Sequence, residues 1–208
     1  MTPRGTPMAV PTAPLAAAIA AEWPDLPRGG KPDPRRLKLT RVAATALDLV
    51  GPQRTKVIDD LIAYAETELV CHRASAPPGL VARQDTLWQP LLDWVIARYD
   101  ASLQVTRSVL AVEQPPATLA RLRAAIEQLD EFRLAALSLA VTSAGSLVIG
   151  LALIAGRIDA AAAFEAAELD ATYQIEQWGE DAEAAARRTE VRDDLETAAR
   201  FVGLLAPG

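Results

Sequence analysis

Apolar residues recur every three or four positions along most of this chain, the period of a helix that buries one face and wets the other. Val57, Ile58, Leu61, Ile62 and Ala65 keep that spacing, so a helix is expected from Thr55 to Glu68. Thr12 is placed to cap an earlier helix that runs to Trp23 and stops at Pro24, and another is expected from Leu39 to Leu49. Leu87, Leu91, Trp94, Val95 and Arg98 predict a helix with Pro90 in its early turns, and Pro115-Pro116 opens one that reaches about Leu129. Asp159 caps the stretch DAAAAFEAAELDATYQIEQWG, which stops at Gly179, and a last helix is expected from Glu183 to Leu205. Two stretches break the pattern: LVCHR, Leu69 to Arg73, reads as a short edge strand, and LQVTRSVLAV, Leu103 to Val112, reads as extended. The breaker Pro77-Pro78-Gly79 marks a lobe boundary, giving residues 1–76 and 77–208.

One segment has no polar face. Leu134 to Gly156 contains no charged residue and is closed by Arg133 and Arg157. About twenty apolar residues suffice to cross a bilayer as a helix, so a membrane anchor is one reading. Ser138, Thr142, Gly145, Ser146 and Gly150 add a small-residue face of the kind that lets helices approach closely, in membranes as in water. The neighbouring helices decide between the readings. They are amphipathic and need something apolar to pack on, and no second apolar span or one-sided Lys/Arg excess would orient an insertion. The segment is therefore expected to be a buried central helix wrapped by the others.

Charge and chemistry narrow the function. The net charge of -6 is concentrated from Arg157 onward, where twelve acids face five arginines, a surface that repels phosphate backbones and makes nucleic acid a poor partner. A basic block at Arg28, Lys31, Arg35, Arg36, Lys38 and Arg41 is interleaved with prolines and reads as a solvated loop. The opening MTPRGTPMAVPTAP has neither a secretory nor a transit-peptide pattern, so export is not expected. The single cysteine, Cys71, suits a reducing compartment. His72, the only histidine, follows it directly, and adjacent residues of an extended run point to opposite faces, which is wrong for a Cys-His dyad. There is no zinc ligand set, no GxxxxGK loop and no GxGxxG, so neither an enzyme nor a metal or other cofactor is expected.

Along the helix that follows Asp159, the residues Ala160, Ala163, Phe164, Ala167, Ala171, Ile175 and Trp178 share one face and are expected to pack on the core. Leu169 and Tyr173 lie off it, beside Asp170, with Glu165 and Glu176 near. Apolar area bordered by carboxylates suits a protein-binding surface that selects a basic partner, or else the last helix covers it.

Taken in order, VPTAPLAAAIAAEW, YAETELVCHRA with GLVARQ, ARQDTLWQPLLDWVIARYD, the uncharged segment and EAAELDATYQIEQWGEDAE resemble the family of assembly chaperones for the alpha subunit of the F-type ATP synthase catalytic head. The resemblance implies a mainly α protein: a helical C-terminal lobe and a small α+β N-terminal lobe. Members hold the unassembled alpha subunit and shield it from aggregation until it joins the beta subunits, without nucleotide hydrolysis, in the bacterial cytoplasm or, for eukaryotic relatives, the mitochondrial matrix. Members usually begin with further strand-forming sequence before the segment matching TPRGTPMAVPT, so this chain is expected to start inside the N-terminal lobe. Where the family carries a run of acids before the Tyr-Gln pair, only Asp170 stands here, followed by Ala171 and Thr172. The resemblance places a functional acid at Asp170, and partner binding is expected at Asp170, Leu169, Tyr173 and Glu176. Trp23 matches a family tryptophan and is read as a core anchor of the N-terminal lobe.

Overall fold

The computed structural model describes residues 1–23, 33–108 and 112–206. Ten α-helices are found among them: α1 (Ala13–Ala21), α2 (Lys38–Thr45), α3 (Arg54–Glu66), α4 (Pro78–Tyr99), α5 (Pro116–Glu127), α6 (Glu131–Ala144), α7 (Leu147–Ile154), α8 (Ala160–Ala167), α9 (Leu169–Trp178) and α10 (Ala182–Leu204). Several caps follow from the side chains at their ends. Thr12 accepts from the Leu15 amide, and its hydroxyl donates to the Leu204 carbonyl at 2.6 Å, tying the start of α1 to the end of α10. Asp159 and Asp181 cap α8 and α10 in the same way. The helix stop at Pro24, Arg28 and Lys31 of the basic block, and residues 109–111 of the expected extended run lie outside the described residues.

The uncharged segment is two helices, not one rod. α6 ends at Gly145, whose φ of +67° is natural to glycine, and Ser146 is extended and caps α7 by accepting from the Ile149 amide. The chain folds back, and α7 packs on α6 while α10, α3 and α2 close around the pair. All ten of the segment's large aliphatics except Leu139 and Ile154 are buried, so the expectation of a wrapped core element stands while its single-helix form does not. Among the described residues no helix is long and apolar enough to cross a membrane, and the anchor reading loses its segment.

Gly150 sets the spacing of this hairpin. A Cβ there would lie 2.5 Å from Val141 Cγ2 and 3.3 Å from the Val141 backbone nitrogen. Val141 is fully buried and β-branched, so it has little room to turn away. Gly150→Ala is expected to destabilise the fold by about 1–3 kcal/mol despite alanine's better helix propensity. A urea denaturation midpoint unchanged or raised would show that the pair can spread.

A second correction concerns the N-terminal half. No strand is present among the described residues, and the small α+β lobe is not supported: the fold is mainly α. Leu69–Cys71 curls into a 3₁₀ turn because the Glu68 carboxylate accepts from the Val70 amide. What remains of the expected pairing is one parallel bridge, His72 to Thr106, made by Arg73 N to Thr106 O at 2.9 Å and Thr106 N to Cys71 O at 2.8 Å. Trp23 differs too: it is 44% exposed, with its indole N–H donating to Thr40 Oγ1 at 3.0 Å, and is not a core anchor. The helix expected around Leu87 starts earlier, at Pro78, which leaves Pro90 in its interior. A single apolar cluster runs from Leu15 through Ala65, Val70 and Val95 to Leu205, crossing the boundary after residue 76.

Glu68 joins distant parts of this core. It is fully buried, and its carboxylate accepts from the Ser146 hydroxyl, the Leu147 and Val148 amides at 3.0 and 3.2 Å, and the Val70 amide at 3.4 Å. The carboxylate thus sits at the open amides that begin α7, where the helix dipole also favours negative charge. Burial pushes its pKa up to about 7 while these hydrogen bonds pull it down.

Candidate functional site

The face of interest lies on α9, and it is positioned by a break at Glu168. That residue has φ -103° and ψ 18°, which interrupts the helical hydrogen-bond ladder between α8 and α9. Its own carboxylate is buried and held by Arg188 at 3.3 Å and Arg187 at 3.7 Å. The break shifts the phase of α9 relative to α8. Leu169 turns into the core, with 4% of its surface exposed, and Trp178 turns out, with 79% exposed. Both reverse the expectation of one continuous helix, which put Leu169 off the buried face and Trp178 on it. Ala163 and Phe164 are buried as expected.

Asp170, Tyr173 and Glu176 remain on one side of α9, next to the start of α4. Asp170 accepts a 2.7 Å hydrogen bond from Gln84 Nε2, and Gln84 Oε1 accepts from the Ala74 amide at 2.7 Å, so a buried amide side chain relays α9 to the segment before α4. Arg83 lies with its guanidinium 5.3 Å from the Tyr173 ring centroid and grips Glu176 through two N–H groups, at 2.8 Å each. The Arg83 hydrogen bond holds the Glu176 carboxyl below its usual range. Gly79 completes the packing: a Cβ there would be 3.5 Å from the Tyr173 hydroxyl, so this turn passes close over the ring. The structure brings Asp170, Tyr173 and Glu176 together at the surface and places Leu169 behind them as a buried support.

On the other flank of α9 a groove of about 280 Å³ lies toward α10, lined by the apolar Ala171, Ile175 and Trp178 and by charges of both signs, Glu180 and Asp181 with Arg187 and Arg188. Arg188 also pairs with Glu180 at 3.1 Å, and Asp181 caps α10, so the groove wall is ordered by ion pairs and backbone contacts.

Nothing in this arrangement forms a reacting centre among the described residues. Cys71 is buried and its pKa is pushed up to about 12 by burial and by nearby Glu68, which keeps the thiol protonated. His72 Nδ1 is 3.0 Å from the Glu68 carbonyl. Among the described residues no group of three or more His, Cys, Asp or Glu side chains has the geometry to hold a metal ion. A cleft of about 390 Å³ between α1, α2 and α10 is lined by both signs of charge; within it Glu22 accepts from the Leu39 and Thr40 amides, and Lys38 meets Asp193 at 2.8 Å.

Comparison with known proteins agrees with the resemblance in the sequence. The family profile described as ATP12 chaperone protein matches residues 1–96. The crystal structure of Atp12 from Paracoccus denitrificans is 40% identical and superposes with a TM-score of 0.92, covering 99% of this chain and 87% of that one. An aspartate-to-lysine variant of the same protein gives 0.93 with equal identity and coverage. The Atu1473 protein of Agrobacterium tumefaciens, described as a candidate chaperone, is 30% identical with a TM-score of 0.89, covering 99% of this chain and 76% of that one.

Proposed function

This chain belongs to the ATP12 chaperone family, and from that membership we propose that it binds the unassembled alpha subunit of ATP synthase and keeps it from aggregating until the beta subunits arrive. A ring subunit without its neighbours exposes the surfaces that they will cover, and such apolar patches associate indiscriminately until occupied. The observation that carries the reading is the α9 face: an aromatic ring and three half-buried or exposed polar groups, braced from below by Arg83 and Gln84, on the acidic side of the protein. In this reading the half from residue 77 onward holds the subunit and residues 1–76 brace it, and the protein works in the cytoplasm without catalysing a reaction. Asp170, Tyr173 and Glu176 contact the partner, and Leu169 supports them from the core.

The function is tested by light scattering of purified alpha subunit diluted from denaturant. Stoichiometric amounts of this protein should suppress aggregation of alpha and leave that of beta unchanged; equal action on both, or on neither, would refute the assignment. Within the site, Asp170→Lys is expected to weaken capture of alpha roughly fivefold or more by charge reversal, with far-UV circular dichroism unchanged. Undiminished capture removes Asp170 from the contact.

A further inference from the structure

Gln84 is a polar side chain on the buried face of α4, 1% exposed, and both ends of its amide are engaged. An amide side chain can in principle sit either way round, but here its sense is forced. The Ala74 N–H can only donate, so Oε1 faces it at 2.7 Å, and Nε2–H is thereby aimed at position 170, also at 2.7 Å. That position must carry an acceptor, and a carboxylate is the strongest kind. The Ala74 end is itself fixed: its carbonyl accepts from Arg107 Nη1 at 2.7 Å, and Arg107 and the buried Arg73 both grip Asp85 at 2.8 Å. A network anchored on two arginines thus runs through one buried amide and ends at Asp170 Oδ1. The other oxygen, Oδ2, takes no hydrogen bond among the described residues.

We infer that Gln84 is a positioning residue for partner capture: without touching the partner, it holds Asp170 by Oδ1 in one rotamer and leaves Oδ2 to meet a donor of the alpha subunit. The inference rests on the functional reading above, which makes Asp170 a contact, and deepens it by naming the group that sets the geometry of that contact. An unbraced aspartate loses its rotamer freedom at the moment of binding, whereas one held in advance has already lost it on folding. The polarity at position 84 is what matters. A methionine fills nearly the same volume but can neither accept from Ala74 nor donate to Asp170.

The test is a double-mutant cycle, with immobilised alpha subunit titrated by the full chain as wild type, Gln84→Met, Asp170→Ala and the double variant. Gln84→Met should weaken capture roughly threefold in the wild-type background and not at all in the Asp170→Ala background. Its denaturation midpoint should fall in both, because the Ala74 amide loses its acceptor either way. A residue that only stabilises the fold would weaken capture equally in the two backgrounds, and that result, or full capture by Gln84→Met, overturns the inference while the functional reading stands. Should Gln84→Met fail to fold, Gln84→Glu keeps the bond to Ala74 and carries the test through its pH profile. It should capture like wild type at pH 6, where the introduced buried carboxyl holds a proton to donate to Asp170, and roughly threefold more weakly at pH 9, where it does not. A profile parallel to wild type overturns the inference. If wild type captures alpha and Asp170→Ala captures it equally, Asp170 is no contact and the positioning role falls alone; if wild type captures no alpha, the functional reading falls and takes the inference with it.

Discussion

Replacing Glu68 with alanine is expected to cost about 3–5 kcal/mol of folding free energy near neutral pH. Three backbone amides and one hydroxyl, from Val70, Leu147, Val148 and Ser146, would lose their acceptor at a site sealed from water. Glu68→Gln keeps the shape and one acceptor oxygen, so it should cost less. Its pH dependence gives a second readout. Burial raises the carboxyl from its ordinary 4.5 to about 7 in the folded state, so the folded protein holds a proton there that the unfolded chain has released. The resulting stability is fully present below about pH 4.5 and is lost as pH rises through 7, a change on the order of 3 kcal/mol. Asp130, held below its usual range by hydrogen bonds from the Arg133 and Phe132 amides and the Arg133 side chain, works in the opposite direction and only at lower pH. Urea denaturation of wild type should therefore show stability falling from pH 5 to pH 8, and Glu68→Gln should flatten that slope. Parallel profiles for the two proteins would mean that Glu68 does not titrate in this window.

Trp88→Ala is expected to cost about 3–5 kcal/mol. The side chain is 1% exposed in the core between α4 and the helices that follow α7, and its indole N–H donates to the Ala166 carbonyl at 2.9 Å. That carbonyl belongs to the last turn of α8, where helix geometry leaves acceptors without an intrahelical donor. Trp88 thus fills volume and satisfies the helix end immediately before the Glu168 break. Trp88→Phe should keep much of the apolar area and lose about 1–2 kcal/mol through the missing donor. Both changes should also weaken capture of alpha in proportion to instability of the α8–α9 junction. Denaturation midpoints together with co-purification check this; a destabilised Trp88→Phe protein that captures alpha at full strength would separate the junction from the site.

Helix content was legible because the apolar period of α3, α4 and α10 and the caps at Thr12 and Asp159 are local signals. The breaks were not. In Leu134 to Gly156 nearly every residue is apolar, so a change of helix direction at Gly145-Ser146 leaves no trace in a pattern that has no polar face. Only the Gly-Ser pair itself signals it, as a helix stop followed by a cap. The Glu168 break is quieter still: glutamate is an ordinary helix residue, and the arginines it meets, Arg187 and Arg188, come from α10, distant in sequence. Missing that break exchanged the roles of Leu169 and Trp178. The acidic character around Asp170 and Tyr173 could be read from sequence, but their bracing could not, since Gln84 and Arg83 reach them from eighty-six and roughly ninety positions away. Glu68 had no local signal either, because its partners in α7 are brought to it only by the fold.

The account turns on which subunit this protein holds. Co-expression with alpha and with beta separately, followed by affinity purification through a tag on this chain, measures that directly. Alpha should become soluble and co-purify at one-to-one stoichiometry while beta does neither; co-purification of beta alone, or recovery of this protein without either subunit, would contradict it.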